Sequence, residues 1–333
     1  MRLNPREMKK MTDKVKCIVA FDTSNYTTSA AVCTLDGKVV ANLKIPLPVK
    51  DGERGLRQSD AVFAHTKNLS DICEKLKKIL EGYHPVAVGV SQTPRRADGS
   101  YMPCFLCGIS AASAFAASES LPIYRTSHQH GHIMAAMYSS GNTDRLMSGR
   151  FLAFHVSGGT TEALLITPHE DMYDFDIELV GATKDINAGQ AIDRVGVMMG
   201  LHFPCGKELE LLAGAYDGKL EKKNICVNDG FCSLSGIENI ARKIYEKTND
   251  EKQVAAFVFD FIGRTITEMT KQILEKYGNM PVIYAGGVMS NKLMRKNLSS
   301  SFEAYFAEPE FSADNAAGVA LLTRLAAKRE ELI

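Results

Sequence analysis

The chain carries two copies of a short polar turn, and the two copies align without a gap. Residues 23–30 match residues 156–163, and each segment lies between apolar runs that are typical of strands. Gly, Ser and Thr at such a turn allow close approach to the backbone and offer N–H groups and hydroxyls, the parts of a phosphate-binding loop. The repeat predicts two lobes of related topology, with the two turns facing each other across a nucleotide. Two ordinary hairpin turns are the alternative interpretation.

Composition and charge narrow the class of protein. The chain has 333 residues, 45% of them hydrophobic, which suits two globular lobes. Its 39 basic and 39 acidic residues cancel, so any contact with nucleic acid depends on local basic groups. The candidates, for which a solvated surface is the alternative role, are Arg95, Arg96, Lys292, Arg295 and Lys296.

The sequence also predicts a cytoplasmic protein with no membrane association. No apolar stretch approaches the ~18–20 residues of a membrane span. Residues 1–16 are polar and basic, without the apolar core of a secretory signal. The eight cysteines lie mostly in apolar runs, which favours reduced thiols.

Strand and helix signals along the chain form an α/β pattern. Three strands are predicted within residues 17–46, and a second hairpin opens at about residue 151. The polar segment 139–144 indicates a linker. We predict an N-terminal extension (1–15), lobe one (16–140, completed by a closing helix at about 313–333) and lobe two (150–312).

Two histidines have the spacing of metal ligands. His128 and His132 are four residues apart, so on a helix both imidazoles face one side, although helix-surface histidines are the alternative. His130 would lie on a different side of such a helix, where it could be a surface residue. Asp314, before the last helix, is the candidate third ligand, with helix N-capping as its alternative role. Two histidines and one carboxylate leave coordination positions open, as in a catalytic site. Because Gln129 stands where a zinc protease needs its glutamate base, a metalloprotease is disfavoured.

Further polar and glycine positions suit a nucleotide. The turn at 286–287 is the third glycine-rich turn after a strand, and it leads into a segment with Asn291. Tight packing of a helix on a strand is the alternative role for these glycines. Asp193 follows a glycine on a small-residue helix and could accept ribose hydroxyls or pair with a neighbouring cation. Gly206 allows close approach of the chain to a ribose.

In this order, these segments resemble the TsaD family of tRNA threonylcarbamoyladenosine synthases, which were once described as O-sialoglycoprotein endopeptidases. The resemblance runs from about Lys16 to Ala327. It rests on Asp22-Thr23-Ser24, His128-x-x-Gly131-His132, Ser157-Gly158-Gly159-Thr160-Thr161, Gly189-Gln190-Ala191-Ile192-Asp193-Arg194, Pro204-x-Gly206, Ser233-Leu234-Ser235-Gly236, Ala285-Gly286-Gly287-Val288-x-x-Asn291 and Asp314-Asn315.

The resemblance implies a fold, a reaction and a set of site residues. The fold is the two-lobed ATPase fold of actin and the sugar kinases. The reaction transfers a threonylcarbamoyl group from threonylcarbamoyl-AMP to N6 of an adenosine in the tRNA anticodon loop, with TsaB-like and TsaE-like partner proteins. One divalent ion, Fe²⁺ or Zn²⁺, corresponds to His128, His132 and Asp314. The adenine nucleotide, threonylcarbamoyl-AMP or ATP, corresponds to Ser157, Gly158, Gly159, Thr160, Asp193, Gly206 and Asn291.

The sequence departs from the family pattern in the predicted first lobe. Tyr26 and Thr27 replace an acidic pair, and residues 93–99 replace a Gly-Pro-Gly segment. Residues 58–65 rewrite a further motif that ends in a histidine, and Glu238 stands where the family has a lysine. These changes are typical of a divergent paralogue. A weakened threonylcarbamoyltransferase is therefore the first hypothesis, and a non-catalytic scaffold that binds nucleotide and metal is the alternative. No catalytic side chain is assigned from the sequence.

Overall fold

The computed structural model describes residues 14–24, 26–48 and 56–333. Asn25 of the first repeated turn and all but the last two residues of the predicted N-terminal extension lie outside them. The chain divides into two compact units. The first runs to Tyr138 and takes in Asp171–Asp174 and Ala313–Ile333, and the second comprises Ser139–Glu170 and Phe175–Ser312.

The described residues form twelve strands and eleven α-helices. The strands are β1 Val15–Ser24, β2 Thr27–Thr34, β3 Val39–Pro46, β4 Tyr83–Thr93, β5 Ile123–Ser127, β6 Phe151–Val156, β7 Thr161–Pro168, β8 Phe175–Ala182, β9 Cys226–Asn228, β10 Phe231–Ser233, β11 Val282–Ala285 and β12 Ala304–Phe306. The helices are α1 Gln58–Ile79, α2 Phe105–Glu119, α3 His128–Ser139, α4 Thr143–Met147, α5 Ala188–Met198, α6 Gly206–Gly214, α7 Gly236–Thr248, α8 Glu251–Tyr277, α9 Lys292–Ser301, α10 Pro309–Ser312 and α11 Ala317–Arg329. A 3-10 turn covers Gly287–Ser290.

The two large sheets have the same topology. The first unit has the order β3-β2-β1-β4-β5, and the second has β8-β7-β6-β11-β12. In each, the first three strands in sequence are antiparallel and the next two continue the sheet in parallel. The repeated turns connect β1 to β2 and β6 to β7, so each stands at the carboxyl end of a central strand. The predicted α/β fold with duplicated hairpin meanders is confirmed.

The core of the first unit lies between its sheet and helices α1 and α2. Alternate residues of β1, such as Val19 and Phe21, pack there with Ile72 and Leu76 of α1. Helix α11 packs against the same sheet, and Gly89 of β4 makes this approach possible. A Cβ at position 89 would lie 2.0 Å from the Thr323 hydroxyl oxygen, so glycine is the residue that fits there without a clash.

The second unit is built around the long helix α8. Asp250 begins this helix by accepting hydrogen bonds from the Lys252 and Gln253 amides, and Gly278, at φ 93°, ends it. The apolar face of α8 packs in one core with strands β6 and β7 and with helices α5, α6 and α7. The hairpin β9–β10 was not anticipated, although its Asp229-Gly230 turn has the sequence signal of a two-residue hairpin. The predicted linker also contains the start of α4.

Candidate metal and nucleotide sites

Close packing of α3 and α11 brings the predicted metal ligands together. His128 and His132 occupy the first two turns of α3, directly after β5, and Asp314 precedes α11. The two helices meet at glycines, since a Cβ at Gly318 would lie 1.8 Å from the Gly131 carbonyl oxygen. A larger residue at Gly318 would clash with the backbone of α3 and would therefore separate Asp314 from the histidines. In the sequence, close packing of the two helices is indicated by Gly131, between the two histidines, and by Gly318, four residues after Asp314.

The ligand atoms of the three residues form a compact group. One atom from each of His128, His132 and Asp314 lies within 4.8 Å of the other two, and among the described residues no other group of three or more His, Cys, Asp or Glu side chains comes together in this way. Asp314 Oδ1 is 3.1 Å from His132 Nε2 and 3.5 Å from His128 Nε2. The Asp314 side chain therefore faces the histidines, and Asn315 instead accepts the Ala317 amide at the start of α11. Two imidazole nitrogens and a carboxylate oxygen are a fitting donor set for Fe²⁺ or Zn²⁺.

Asp22 supports this cluster and was not identified as a site residue from the sequence. Its Oδ2 lies 2.7 Å from His128 Nδ1, and its Oδ1 accepts the Ser24 amide at 2.8 Å. The Asp22 side chain is only 1% exposed, so it belongs to the site rather than to the surface. Because the His128 Nδ1–H donates to this carboxylate, His128 Nε2, which faces Asp314, is the ring nitrogen that a metal ion would bind in place of a proton. This carboxylate–histidine arrangement fixes the tautomer that a metal ligand needs.

The electrostatics of the cluster favour a cation. Burial alone would lower the pKa of His128, but the carboxylates of Asp22 and Asp314 outweigh burial and raise that pKa to about 10. Burial alone would raise the pKa of Asp314, but His128 and His132 hold it well below its usual value. A site that stabilises an imidazolium between two carboxylates also stabilises a metal ion that displaces the proton.

His130 is not a surface residue, contrary to the position that the sequence left open for it. It is 3% exposed, and its Nδ1 lies 2.7 Å from the Ser127 hydroxyl. Helix α3 is buried along most of its length, so His130 lies in the interior of the first unit. A helix with so many small and apolar residues packs on more than one side, which the His-x-His pattern alone does not reveal.

The second repeated turn is shaped by its own serine. The Ser157 hydroxyl accepts the amides of Gly159 at 3.2 Å and Thr160 at 3.1 Å. The Ser157 carbonyl accepts the Gly189 amide at the first turn of α5. The Ser157 hydroxyl oxygen therefore already accepts the amides of Gly159 and Thr160. A phosphate oxygen bound by the same two amides would lie beside this hydroxyl or take its place.

The glycines around this turn fall into two groups. A Cβ at Gly189 would lie 2.6 Å from the Gly158 nitrogen, and one at Gly286 would lie 2.2 Å from the Val156 carbonyl oxygen. These two glycines let α5 and the end of β11 pack against the turn. In contrast, a Cβ at Gly158, Gly159 or Gly206 would meet no described atom within 4 Å. The second group therefore leaves space above the backbone that a ligand can use.

Asp193 and Gly206 lie next to each other, on either side of Cys205. Asp193 Oδ1 accepts the Cys205 amide at 2.9 Å, and burial raises the pKa of Asp193. The carboxylate thus ties the start of α6 to α5 and leaves its second oxygen for another donor. Asn291 is 5% exposed and caps α9 by accepting the Met294 amide. The capping roles of Asp193 and Asn291 were not anticipated, because each depends on a backbone amide outside the motif that carries it.

The candidate basic residues differ in how they are engaged. Arg96 contacts Asp174 at 2.6 Å and the Thr126 hydroxyl at 3.2 Å. Arg295 donates to the carbonyls of Met289 and Ala307 and therefore supports the fold. Lys292 and Lys296 are exposed on α9. Among the residues that the structure describes, no helix is long and apolar enough to cross a membrane.

Comparison with known proteins identifies the family. The family model described as TsaD, tRNA N6-adenosine threonylcarbamoyltransferase, matches residues 54–321. This match covers most of the chain, so the protein belongs to the TsaD family of transferases. The tRNA N6-adenosine threonylcarbamoyltransferase of Streptococcus pneumoniae (strain Taiwan19F-14) is 30% identical over 302 residues, which are 86% of this chain and 84% of that one. The enzyme of the same name from Streptococcus suis (strain 05ZYH33) is 28% identical over 325 residues, covering 92% and 91%.

Solved structures agree on the fold. Full-length HypF in its phosphate- and nucleotide-bound form superposes with a TM-score of 0.59 at 14% identity, covering 96% of this chain. The chain spans 57% of the length of that HypF. A ROK family glucokinase from Streptomyces griseus superposes with a TM-score of 0.50 at 12% identity, over 93% of this chain and 98% of the glucokinase. The predicted sugar-kinase type of fold is therefore confirmed.

Proposed function

We propose that this protein transfers a threonylcarbamoyl group from threonylcarbamoyl-AMP to N6 of an anticodon-loop adenosine in tRNA, and that it depends on a divalent metal. The observation that carries the proposal is the cluster of His128, His132 and Asp314, with its ligand atoms within 4.8 Å of one another, in a member of the TsaD family. The metal, when bound, would act as a Lewis acid on the carbonyl of the threonylcarbamoyl group.

The chain's own residues prepare the first unit for this role. Asp22 holds the His128 ring and keeps its Nε2 available. Asp314 lies against both imidazoles and supplies the negative charge that a divalent ion requires. In the second unit, we propose that the turn Ser157–Thr160 binds a phosphate, that Asp193 accepts a ribose hydroxyl through its second oxygen, and that Asn291 lies near the adenosine. The open space at Gly158, Gly159 and Gly206 supports this assignment.

The experiment measures modified nucleosides. tRNA is incubated with the protein, threonine, bicarbonate, ATP, Fe²⁺ or Zn²⁺ and TsaB-like and TsaE-like partners, then digested and analysed by mass spectrometry. We expect the parent to form threonylcarbamoyladenosine, and His132→Ala to lose both activity and stoichiometric metal. The matched control is His84→Ala, at the opposite end of the same sheet, where His84 pairs with Lys16. A His132→Ala protein with full metal content and activity would show that the site is elsewhere.

A scaffold role is the second candidate, and one observation favours it. Tyr26, 43% exposed, and Thr27, the first residue of β2, stand where the family resemblance places an acidic pair. Neither side chain is a carboxylate, so this turn lacks the base that an acidic pair would supply. If the parent is a weakened enzyme, Tyr26→Asp combined with Thr27→Asp should raise product formation. If neither protein forms product with all partners present, while both bind metal and nucleotide, the scaffold role is correct.

A further inference from the structure

One loop of the first unit begins directly beside the metal-ligand cluster. It comprises residues 94–104 and connects the carboxyl end of β4 to the start of α2, and we call it the β4–α2 loop. The Pro94 carbonyl, at its first residue, accepts the Gln129 amide at 3.0 Å. Gln129 is the residue after His128, so the start of the loop lies next to the candidate metal site.

The β4–α2 loop also ends at this cluster. The Cys104 carbonyl, at its last residue, accepts the Thr23 hydroxyl at 2.9 Å, and Thr23 follows Asp22, which holds His128. Phe105, the first residue of α2, contacts the His128 ring edge-on, with the ring centroids 6.1 Å apart. Because both ends of the loop are fixed there, the residues between them form part of the rim of the candidate metal site.

Hydrogen bonds within the β4–α2 loop fix its conformation. The Ser100 hydroxyl accepts the Arg95 amide at 3.0 Å, and the Ala97 carbonyl accepts the Ser100 amide at 3.1 Å. The guanidinium of Arg96 is engaged by the two contacts already described, so this arginine supports the loop. A loop that is ordered in advance loses little conformational entropy when it binds a ligand.

Two large side chains of the loop are nevertheless exposed. Tyr101 is 62% exposed, and Arg95 is exposed as well. An aromatic ring that adds little to the core, on an ordered loop at the rim of a site, can stack with a ligand. An arginine near it can bind an anionic group. Single-stranded RNA uses these two kinds of contact, since its bases stack on aromatic rings and its phosphates bind cationic side chains.

The charges of the chain point to the same loop. The chain has no net charge, so a grip on RNA depends on local cations. Of the five candidate basic residues, Arg96 and Arg295 are used within the fold, whereas Arg95, Lys292 and Lys296 are exposed. Among these three, Arg95 is the one that belongs to the unit with the metal-ligand cluster. An acceptor base must reach the group that the metal holds, so a contact at this rim lies where the anticodon loop has to arrive.

We propose that the β4–α2 loop binds the anticodon loop of tRNA, with Tyr101 stacking on an unpaired base and Arg95 contacting a backbone phosphate. This inference rests on the proposed function. It also gives a role to the departure from the family pattern at residues 93–99, because a Gly-Pro-Gly segment carries no charge and cannot make the phosphate contact.

The experiment measures binding of a fluorescent RNA stem–loop with the anticodon sequence by anisotropy. The protein is full-length and metal-loaded, the TsaB-like and TsaE-like partners are present, and threonylcarbamoyl-AMP is left out. The Kd is determined over a series of salt concentrations, because each phosphate contact adds to the slope of log K against log salt. The variants are Arg95→Gln, Tyr101→Ala and Tyr101→Phe. Lys16→Gln is the charge control, since Lys16 is exposed at the amino end of β1, the opposite end of the first sheet.

We expect Arg95→Gln to weaken binding and to reduce the magnitude of the salt slope by about 0.7, the value for one phosphate of a single strand. Tyr101→Ala should weaken binding about tenfold, the scale of one lost base–aromatic stack, and leave the slope unchanged. Tyr101→Phe keeps the ring and should bind like the parent, as should Lys16→Gln. Metal content and Tm should be the same in all four variants, because each removes an exposed side chain that is not a metal ligand.

The outcomes separate failure of the inference from failure of the proposed function. If Arg95→Gln and Tyr101→Ala bind the RNA as tightly as the parent, with the same salt slope, the inference is wrong. Loss of tRNA modification in these variants with unchanged RNA binding also overturns it, and assigns the loop to a partner protein instead. A parent that binds RNA through this loop but forms no threonylcarbamoyladenosine contradicts only the proposed function. A parent that does not bind the RNA contradicts both.

Discussion

Replacing Asp22 by asparagine tests how the first unit prepares its metal ligands. The Asp22 carboxylate uses one oxygen for the Ser24 amide and the other for His128 Nδ1. An asparagine has only one acceptor oxygen. If that oxygen keeps the Ser24 amide, the new NH₂ group donates to His128 Nδ1 and drives the ring proton onto Nε2. The atom that faces Asp314 then carries the proton, and a metal must displace this proton against the preference of the new amide group.

The size of the effect follows from the bond that is lost. A buried, charge-assisted hydrogen bond contributes about 1.5–3 kcal/mol, and about 1.4 kcal/mol corresponds to a tenfold change in affinity. This agrees with the 10–100-fold loss that is typical when the partner of a metal-ligating histidine is removed. We therefore expect Asp22→Asn to weaken Zn²⁺ or Fe²⁺ binding by about 10–100-fold, without removing any of the three ligands.

The assay is competition for metal with a chromophoric chelator, at fixed pH and ionic strength, on metal-stripped protein. Asp71→Asn is the matched control, because Asp71 is an exposed carboxylate on α1 of the same unit. Thermal unfolding of the metal-free proteins verifies that Asp22→Asn is folded. If the Asp22→Asn protein is folded and binds metal as tightly as the parent, the reasoning about the His128 tautomer is wrong.

Four further predictions concern the second unit. Gly158→Ala should leave the Tm unchanged but weaken adenine-nucleotide binding about tenfold, the scale of one obstructing methyl group. Gly189→Ala should instead lower the Tm, because its Cβ would lie 2.6 Å from the Gly158 nitrogen; unfolding scans and calorimetry separate the two cases. Asp193→Ala should weaken nucleotide binding by about 1–3 kcal/mol, and equal calorimetric affinity for parent and variant would contradict the ribose assignment. Asp185→Asn should lower the Tm at pH 7, since hydrogen bonds to Asp185 outweigh burial and hold its pKa at about 2. That stabilisation is present above the ordinary pKa of 3.8 and is lost as the pH falls through about 2, so the difference in Tm between parent and variant should shrink over this range.

What the sequence predicted well was local. The repeated turn, the alternating strands around it and the four-residue spacing of His128 and His132 all depend on neighbours in the chain. The end of β11 and the start of α5 were also indicated by glycines, at positions 286 and 189. Both glycines pack against the second repeated turn. For Gly286 this is the tight packing that the sequence left open as its alternative role, whereas no such role was predicted for Gly189.

What it missed depends on pairings between distant parts of the chain. The contact between Asp22 and His128 joins residues 106 positions apart, and it exists because β1 and β5 both end beside the start of α3. The bond between Thr28 and His65 requires α1 to lie over the β1–β2 turn. The periodicity of the sequence does not show which strand end meets which helix. Asp22 was therefore recognised only as part of the Asp22-Thr23-Ser24 motif, and His65 only as the last residue of the segment 58–65, which departs from the family pattern.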